Sequence, residues 1–255
     1  MDRHLSLLLL VLAFAMLWVP IGQHRFLVDN WMKVGTFMAP FLLFVAVASK
    51  PLNAERGDFD LRIACLLLLV AYIVHQFEEH WIDLFGNVYA FQGSVNDLLL
   101  GLLGAPQGSI GPLTKEGVFI INTSLVWLVA GLGVWSAPRH IFPALAMMGI
   151  VLVNAIAHIL NGVAGYNPGL LTSVIVFLPL SGFQYFKSLR SGTATLKEVI
   201  DSLIWAVLAH VLMVVGLIAA NWFNLFPESL YFALLISWSI VPVFLFRKSH
   251  RTQIG

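Results

Sequence analysis

One short stretch of the chain holds several side chains suited to acid–base or metal chemistry. It covers residues 75–80, with the sequence HQFEEH. On a helix, His75, Glu78 and Glu79 stand at positions i, i+3 and i+4, so all three share one face. An imidazole and two carboxylates on one face predict half of a metal site or an acid–base cluster. His80 and Asp83, at the end of the same apolar run, are expected to be hydrated.

Further polar side chains interrupt three later apolar segments. Asn154 and His158 share one helical face, and Asn122 and His210 each lie in an otherwise apolar run. At 1.5 Å per residue, the three histidines fall within roughly 9 Å of one another in depth, and Asn122 lies in the same layer. We therefore predict one cavity lined by these groups. The predicted metal ligands are His75, Glu79, His158 and His210, and the predicted catalytic residues are Glu78, Asn122 and Asn154.

The composition indicates what must position these side chains. Of the 255 residues, 59% are hydrophobic and 11% charged, with a mean hydropathy of +0.88, whereas soluble domains carry about 25% charged residues. The net charge of +1 offers no broad basic field. A single cysteine, Cys65, excludes internal disulfides and a cysteine-rich metal site. These values exclude a soluble domain, a disordered chain and a nucleic-acid-binding protein.

Apolar segments long enough to cross a bilayer predict an all-α transmembrane helix bundle that forms one domain over residues 1–255. A hydrocarbon core of about 30 Å needs roughly 20 apolar residues. About eight segments qualify, or seven if the first is not a span; they are 5–21, 34–49, 61–85, 117–135, 141–162, 170–187, 199–222 and 230–246. The first resembles a secretory signal, but no small-residue cleavage site follows it.

The distribution of basic residues predicts the orientation. With eight spans, 11 of the 14 Lys and Arg residues lie on the side that holds both termini, which is then cytoplasmic. We expect a multi-pass protein of the bacterial cytoplasmic membrane. The long outer connection, residues 86–116, contains a helix start with Ser94 as cap and Asp97 three residues later. That helix either rests in the outer interface or forms a lid over the cavity.

The spacing His75-x-x-Glu78-Glu79 inside a membrane helix resembles the signature of the HXXEE-motif family of bacterial membrane proteins. The later Asn154-x-x-x-His158 helix and residues 166–169, YNPG, are also similar to that family, so the resemblance covers about residues 71–186. It implies that His75, Glu78, Glu79 and His158 act as one group. It supplies no reaction, because the family's function is uncharacterised.

These observations favour an integral membrane enzyme that depends on a divalent metal, with zinc or iron preferred, and acts on an apolar or lipid-like substrate. The reaction would be a hydrolysis or an oxidation–reduction. The alternatives are a proton- or cation-coupled transporter, a haem-binding protein and a purely structural network of buried polar groups. The bilayer and an apolar small molecule or lipid are the predicted partners; no nucleic acid is expected, and no protein partner is predicted.

Overall fold

The computed structural model describes residues 18, 20–49 and 59–245, which form eight named helices. Within those residues no strand forms, and the one β contact is an isolated bridge between Ile82 and Val88. The all-α prediction is therefore confirmed. The helices are α1 Arg25–Ala48, α2 Leu61–His80, α3 Ala90–Leu102, α4 Lys115–Ser136, α5 Phe142–Gly162, α6 Leu170–Arg190, α7 Leu196–Trp222 and α8 Glu228–Val243.

Six of these helices, all except α3 and α8, are long and apolar enough to cross a membrane. The helix α8 coincides with the eighth predicted segment but is shorter. Most of the first predicted span, residues 5–21, lies outside the described residues. The multi-pass architecture is thus present, while the count of eight spans and the side of the termini stay predictions.

Two helix bounds differ by five residues or more from those predicted, whereas the other bounds of the described spans agree within three. Helix α1 begins at Arg25 rather than residue 34, because its polar first turns are bonded: Asn30 Nδ2 donates to the Phe26 carbonyl and Lys33 Nζ to Asn30. Helix α2 ends at His80 rather than residue 85, because a turn built around Asp83 follows it. Polar groups satisfied within the chain therefore set both bounds.

Capping side chains fix where three of the spanning helices begin. Asp60 accepts hydrogen bonds from the first N–H groups of α2, and Thr114 accepts from the first turn of α4. Thr195 and Glu198 form a reciprocal capping box at the start of α7. These caps set the register of each helix, and with it the face that each presents to its neighbours.

Helix α5 is the centre of the bundle and packs against α7, α4, α6 and α2. Its first half is buried almost without interruption from Phe142 to Val151. Helix α1 lies at the edge, packs mainly on α2, and presents exposed phenylalanines such as Phe37 and Phe44. The apolar exterior suits a lipid environment, and α5 is positioned to connect the other spans.

Three of the spanning helices contain a wide π segment. These are Thr123–Leu128 in α4, Ser173–Phe177 in α6 and Ile218–Trp222 in α7. The first begins directly after Asn122 and the second directly after Thr172. Such bulges occur frequently at functional sites.

Helix α3 lies in the long connection and begins at Ala90. The prediction that Ser94 caps this helix is wrong, since Ser94 lies inside it. The N-cap is Tyr89, whose backbone is left-handed with φ of 57° and whose hydroxyl donates to the Asp29 carbonyl at 2.9 Å. The contact with Asp29 on α1 replaces the local cap that the sequence indicated.

Candidate metal centre

Three histidines surround the carboxylate of Glu79 where α2 and α5 end. Glu79 Oε1 lies 3.2 Å from His75 Nε2 and 3.0 Å from His158 Nε2, and Glu79 Oε2 lies 3.2 Å from His80 Nε2. All four side chains are buried. We call His75, Glu79, His80 and His158 the histidine–glutamate cluster.

The spacing within this cluster is close to what a metal ion requires. One ligand atom from each of His75, Glu79 and His158 lies within 4.8 Å of the other two. Ligands about 2.1 Å from a tetrahedral zinc ion lie about 3.4 Å from one another. The nitrogen–oxygen separations of 3.0 and 3.2 Å are only slightly shorter. A divalent ion therefore fits between these atoms after a small outward movement.

Hydrogen-bond partners assign the tautomer of His75. Thr172 Oγ1 donates its one proton to Glu78 Oε2 at 2.6 Å, because a carboxylate can only accept. Thr172 must then accept from His75 Nδ1, which lies 2.7 Å away. In the neutral ring, His75 Nε2 is consequently unprotonated and presents its lone pair to Glu79.

His158 is oriented in the same way by a different residue. Asn167 Nδ2 donates to the His158 carbonyl at 3.1 Å, which places Asn167 Oδ1 2.6 Å from His158 Nδ1. The ring therefore donates from Nδ1 and presents an unprotonated Nε2 to Glu79. Metal-bound histidines are typically held like this, with the distal N–H bonded to an oxygen of the outer shell.

A longer chain of hydrogen bonds sets the polarity at His80. The Trp127 indole, which can only donate, bonds Gln76 Oε1 at 3.0 Å, and Gln76 Nε2 donates to Asn122 Oδ1 at 3.0 Å. Asn122 Nδ2 then lies 3.3 Å from His80 Nε2 and also donates to the Val118 carbonyl. His80 Nε2 is thus an acceptor as well.

The cluster therefore contains three nitrogen lone pairs and one carboxylate with few donors of its own. A cation or added protons must occupy its centre, since buried acceptors facing one another are unfavourable. Two amides face these imidazoles: Asn154 Nδ2 lies 3.1 Å from His75 Nε2, and Asn122 Nδ2 lies 3.3 Å from His80 Nε2. The three residues whose ligand atoms lie within 4.8 Å of one another, His75, His158 and Glu79, form a two-histidine, one-carboxylate set typical of zinc or iron.

Glu78 has the opposite surroundings. Its carboxylate accepts from the backbone N–H groups of Leu171 and Thr172, from the Thr172 hydroxyl and from the Tyr166 hydroxyl. Burial raises the pKa of Tyr166 to about 12, so this phenol is a donor at neutral pH. Glu78 thereby caps the N-terminus of α6 from another helix. The predicted catalytic role of Glu78 stays a prediction, but these contacts suit positioning.

Gly169 forms one wall of the cluster. Its φ of 93° lies in the left-handed region that favours glycine, and it precedes the first residue of α6. A Cβ atom here would lie 2.6 Å from His75 Cε1, 2.9 Å from His158 Cε1 and 3.0 Å from Glu79 Cγ. Only glycine lets the α6 N-terminus approach both imidazoles so closely.

A cavity of about 260 Å³, the apolar cavity, opens beside the cluster. Helices α2 to α5 and α7 provide its walls. Its polar lining residues are Glu79, Asn122, Asn154, His158, Asn161 and His210, and most of the remaining lining residues are aliphatic or aromatic. The predicted residues Asn122, Asn154 and His210 do therefore share one cavity with Glu79 and His158.

His210 is set apart from the other predicted ligands. Its Nδ1 donates to the Ala206 carbonyl at 2.8 Å, which leaves Nε2 as an acceptor. It lines the apolar cavity, yet it is not among the residues whose ligand atoms lie within 4.8 Å of one another. Ligation of a metal by His210 stays a prediction.

The expectation that His80 and Asp83 are hydrated is wrong. His80 is covered by Trp31 and Phe91, with ring centroids 5.2 and 5.0 Å away. The Asp83 carboxylate accepts hydrogen bonds within its own turn, from Asn87 and from the backbone of Phe85.

Thr172 was not identified from the sequence as part of the site. Asn167 could have been found, because it lies in the YNPG segment that carries the resemblance.

Comparison with known proteins agrees with this local picture. The chain matches no curated protein and no solved structure. One family model does match part of the chain. The matched part contains the histidine–glutamate cluster, Glu78 and Thr172, whereas His210 lies beyond it. Residues 66–184 match the model of a family described as a protein of unknown function with HXXEE motif, which confirms the resemblance.

Proposed function

We propose that this protein is a membrane-embedded metalloenzyme whose cluster holds one divalent metal ion beside a cavity for an apolar or lipid-like substrate. The observation that carries the proposal is the convergence of three imidazole acceptors on the single carboxylate of Glu79. His75, His158 and Glu79 are the proposed ligands, and His80, which faces the other oxygen of the carboxylate, is proposed to position Glu79. Zinc or iron suits these donors.

The chemistry we propose is polarisation of a substrate or of a water molecule by the metal. A single metal is favoured over a pair, because Glu78 is bonded to the N-terminus of α6 and does not line the cavity. Zinc in this set would support hydrolysis, and iron would support an oxidation. Asn154 and His210 line the cavity and are positioned to contact the substrate.

The membrane placement we propose is the one that the basic residues favour. Eight spans with both termini in the cytoplasm place the cluster near the outer side of the bacterial inner membrane. The ends of α2 and α5 and the starts of α4 and α6 then lie together on that side. Helix α3 covers the cavity there through Phe91, Val95 and Leu98, which favours the lid interpretation.

A transporter is less well supported. A carrier needs polar groups that continue across the membrane. Between Phe142 and Val153 the central helix α5 carries no polar side chain, and between Ile63 and Ala71 α2 carries none except the thiol of Cys65. A haem site is also disfavoured, since Glu79 lies between His75 and His158, where the macrocycle would have to fit.

Metal content tests the proposal directly. Protein purified without chelator should contain about one zinc or iron per chain by inductively coupled plasma mass spectrometry. His75→Ala and Glu79→Ala should each lose that metal while keeping the helical circular dichroism spectrum. His24→Ala, at an exposed position outside the cluster, is the matched control and should keep it. Full metal content in both cluster variants would reject the proposal, and flux in liposomes abolished by Glu79→Gln would favour the carrier.

A further inference from the structure

A second cavity lies next to the apolar cavity and differs from it in chemistry. This loop cavity, of about 280 Å³, lies between α3 and the segment that joins α5 to α6. Ser94 and Asn161 supply hydrogen-bonding side chains to its lining, together with Tyr166 and Asn167, which are bonded to Glu78 and His158. No lysine, arginine or carboxylate lines it, so its surface suits an uncharged polar group.

The two cavities share part of their walls. Phe91, Val95 and Leu98, which lie on one face of α3, line both, and so do His158 and Asn161. A single molecule can therefore extend from one cavity into the other along α3. His158 lies where they adjoin, and it is one of the proposed metal ligands.

We infer that the substrate is a single-chain amphiphile with an uncharged polar head. Its chain occupies the apolar cavity, its head occupies the loop cavity, and the reacting bond lies at the boundary beside the metal. This inference rests on the proposed function, because it uses the metal to locate the reacting bond.

The size of the apolar cavity sets a limit on the chain. Binding cavities commonly measure about 300–1,000 Å³, and 260 Å³ is below that range. At about 30 Å³ for a group the size of water or a methylene, the cavity holds roughly nine such groups. One chain of about nine carbons fills this volume, which favours a single chain over the two long chains of a membrane phospholipid.

The absence of basic residues from both linings selects the head group. Phosphate is usually bound by arginine, lysine or several free backbone N–H groups. The N-terminus of α6 would be such a site, but Glu78 already accepts from Leu171 and Thr172 there. An alcohol, ester, amide or sugar head is therefore favoured over a phosphate.

Alkyl hydroxamic acids of graded length test this inference, since their head is uncharged in neutral solution and releases its proton as it binds a metal. The full-length protein in lipid nanodiscs is loaded with Co²⁺, and coordination is followed by its visible spectrum. Affinity for the probe should rise by roughly fourfold for each added methylene, up to about nine carbons. With longer chains it should level off. Decyl alcohol should displace the decyl probe, and decyl phosphate should not.

Two tryptophan substitutions on α7 form a matched pair: one fills the apolar cavity and the other does not. Met213→Trp, in the apolar cavity, should weaken binding of the decyl probe at least tenfold and leave acetohydroxamic acid unaffected, which shows that the metal site is intact. Val215→Trp, on the exposed face of the same helix, should change neither. Because bilayer partitioning is the same for all variants, only the cavity distinguishes them.

The outcomes separate the two claims. If Co²⁺ does not bind, the proposed function and this inference both fail. If acetohydroxamic acid binds but chain length has no effect, the metal site stands and the amphiphile is rejected. Equal displacement by decyl phosphate and decyl alcohol would overturn the uncharged head.

Discussion

Glu78 and Glu79 are adjacent in the sequence, yet their surroundings are opposite in kind. Both carboxylates are buried, at 6% and 3% exposure, and both belong to the same turn of α2. Glu78 is surrounded by hydrogen-bond donors from the backbone and side chains of α6 and of the segment that precedes it. Glu79 is surrounded by imidazole acceptors. Neighbouring residues of one type therefore have different chemistry, because the groups opposite them are different: donors of the protein satisfy Glu78, whereas Glu79 faces the imidazoles of the proposed metal site.

The largest expected effect is the loss of metal in Glu79→Gln. The amide removes the negative charge and one ligand oxygen, so metal affinity should fall by more than about 100-fold, beyond the range for outer-shell changes. Without metal, the variant should unfold no more easily than the wild type, because its NH₂ group can donate to an imidazole. Chelator competition and thermal unfolding measure the two quantities. If Glu79→Gln kept a metal affinity within tenfold of wild type, Glu79 would not be the ligand that distinguishes it from Glu78.

Glu78→Ala should instead act on stability. It leaves the N–H groups of Leu171 and Thr172 without their acceptor, which should cost about 3 kcal/mol in the free energy of unfolding. Glu198→Ala, at the exposed capping box of α7, is the control and should cost about 1 kcal/mol. Denaturation in mixed micelles compares them. Equal losses of unfolding free energy in the two variants would show that the buried position of Glu78 adds nothing to its capping contribution.

Thr172 links the two regions, since its hydroxyl lies between Glu78 and His75. Thr172→Val keeps the shape but frees His75 Nδ1, so the ring is no longer held in the ligating tautomer. We expect a fall of about 10-fold or more in metal affinity. Thr172→Ser keeps the hydroxyl and should remain within a few-fold of wild type. Indistinguishable affinities for the valine and serine variants would mean that the tautomer is set elsewhere.

The smallest effect concerns Asp83, which resembles Glu78 but lies outside the spans. Hydrogen bonds from Asn87, the side chain first, hold the pKa of Asp83 below its ordinary value of 3.8. Because the folded-state value is the lower one, the contribution to stability is present above pH 3.8 and is lost as the pH falls through the folded pKa. Asp83→Asn should therefore be less stable than wild type at pH 7, with the difference shrinking toward pH 3. Thermal unfolding across that range measures it; a constant difference would contradict the assignment.

Much of the cluster could be predicted from local pattern. The spacing of His75 and Glu79 placed them on one face, and the apolar helix around His158 placed a second imidazole at a similar depth. The helical class followed from composition. These predictions succeeded because helical periodicity and burial of apolar side chains are local properties.

The roles of the residues could not be predicted in the same way. Glu78 is occupied by the start of α6, about ninety residues later in the chain, and nothing in its own segment indicates that contact. His80 was expected in water because it ends its helix, but Trp31 and Phe91 cover it from two other elements. The start of α3 was misplaced because a contact between Tyr89 and α1 outweighed the local capping signal of Ser94.

The π segments have a consequence for how sequences of this type should be compared. A π turn holds one residue more than an α turn, so removing one residue from Thr123–Leu128 or Ser173–Phe177 lets the helix close into α geometry. Because the wide turn had accommodated the extra residue, the two halves keep nearly the same faces toward their neighbours. Asn122 and Thr172 lie just before these points and would keep their places beside the cluster. Alignments of related chains should therefore allow a one-residue gap inside these membrane helices, where gaps are usually forbidden.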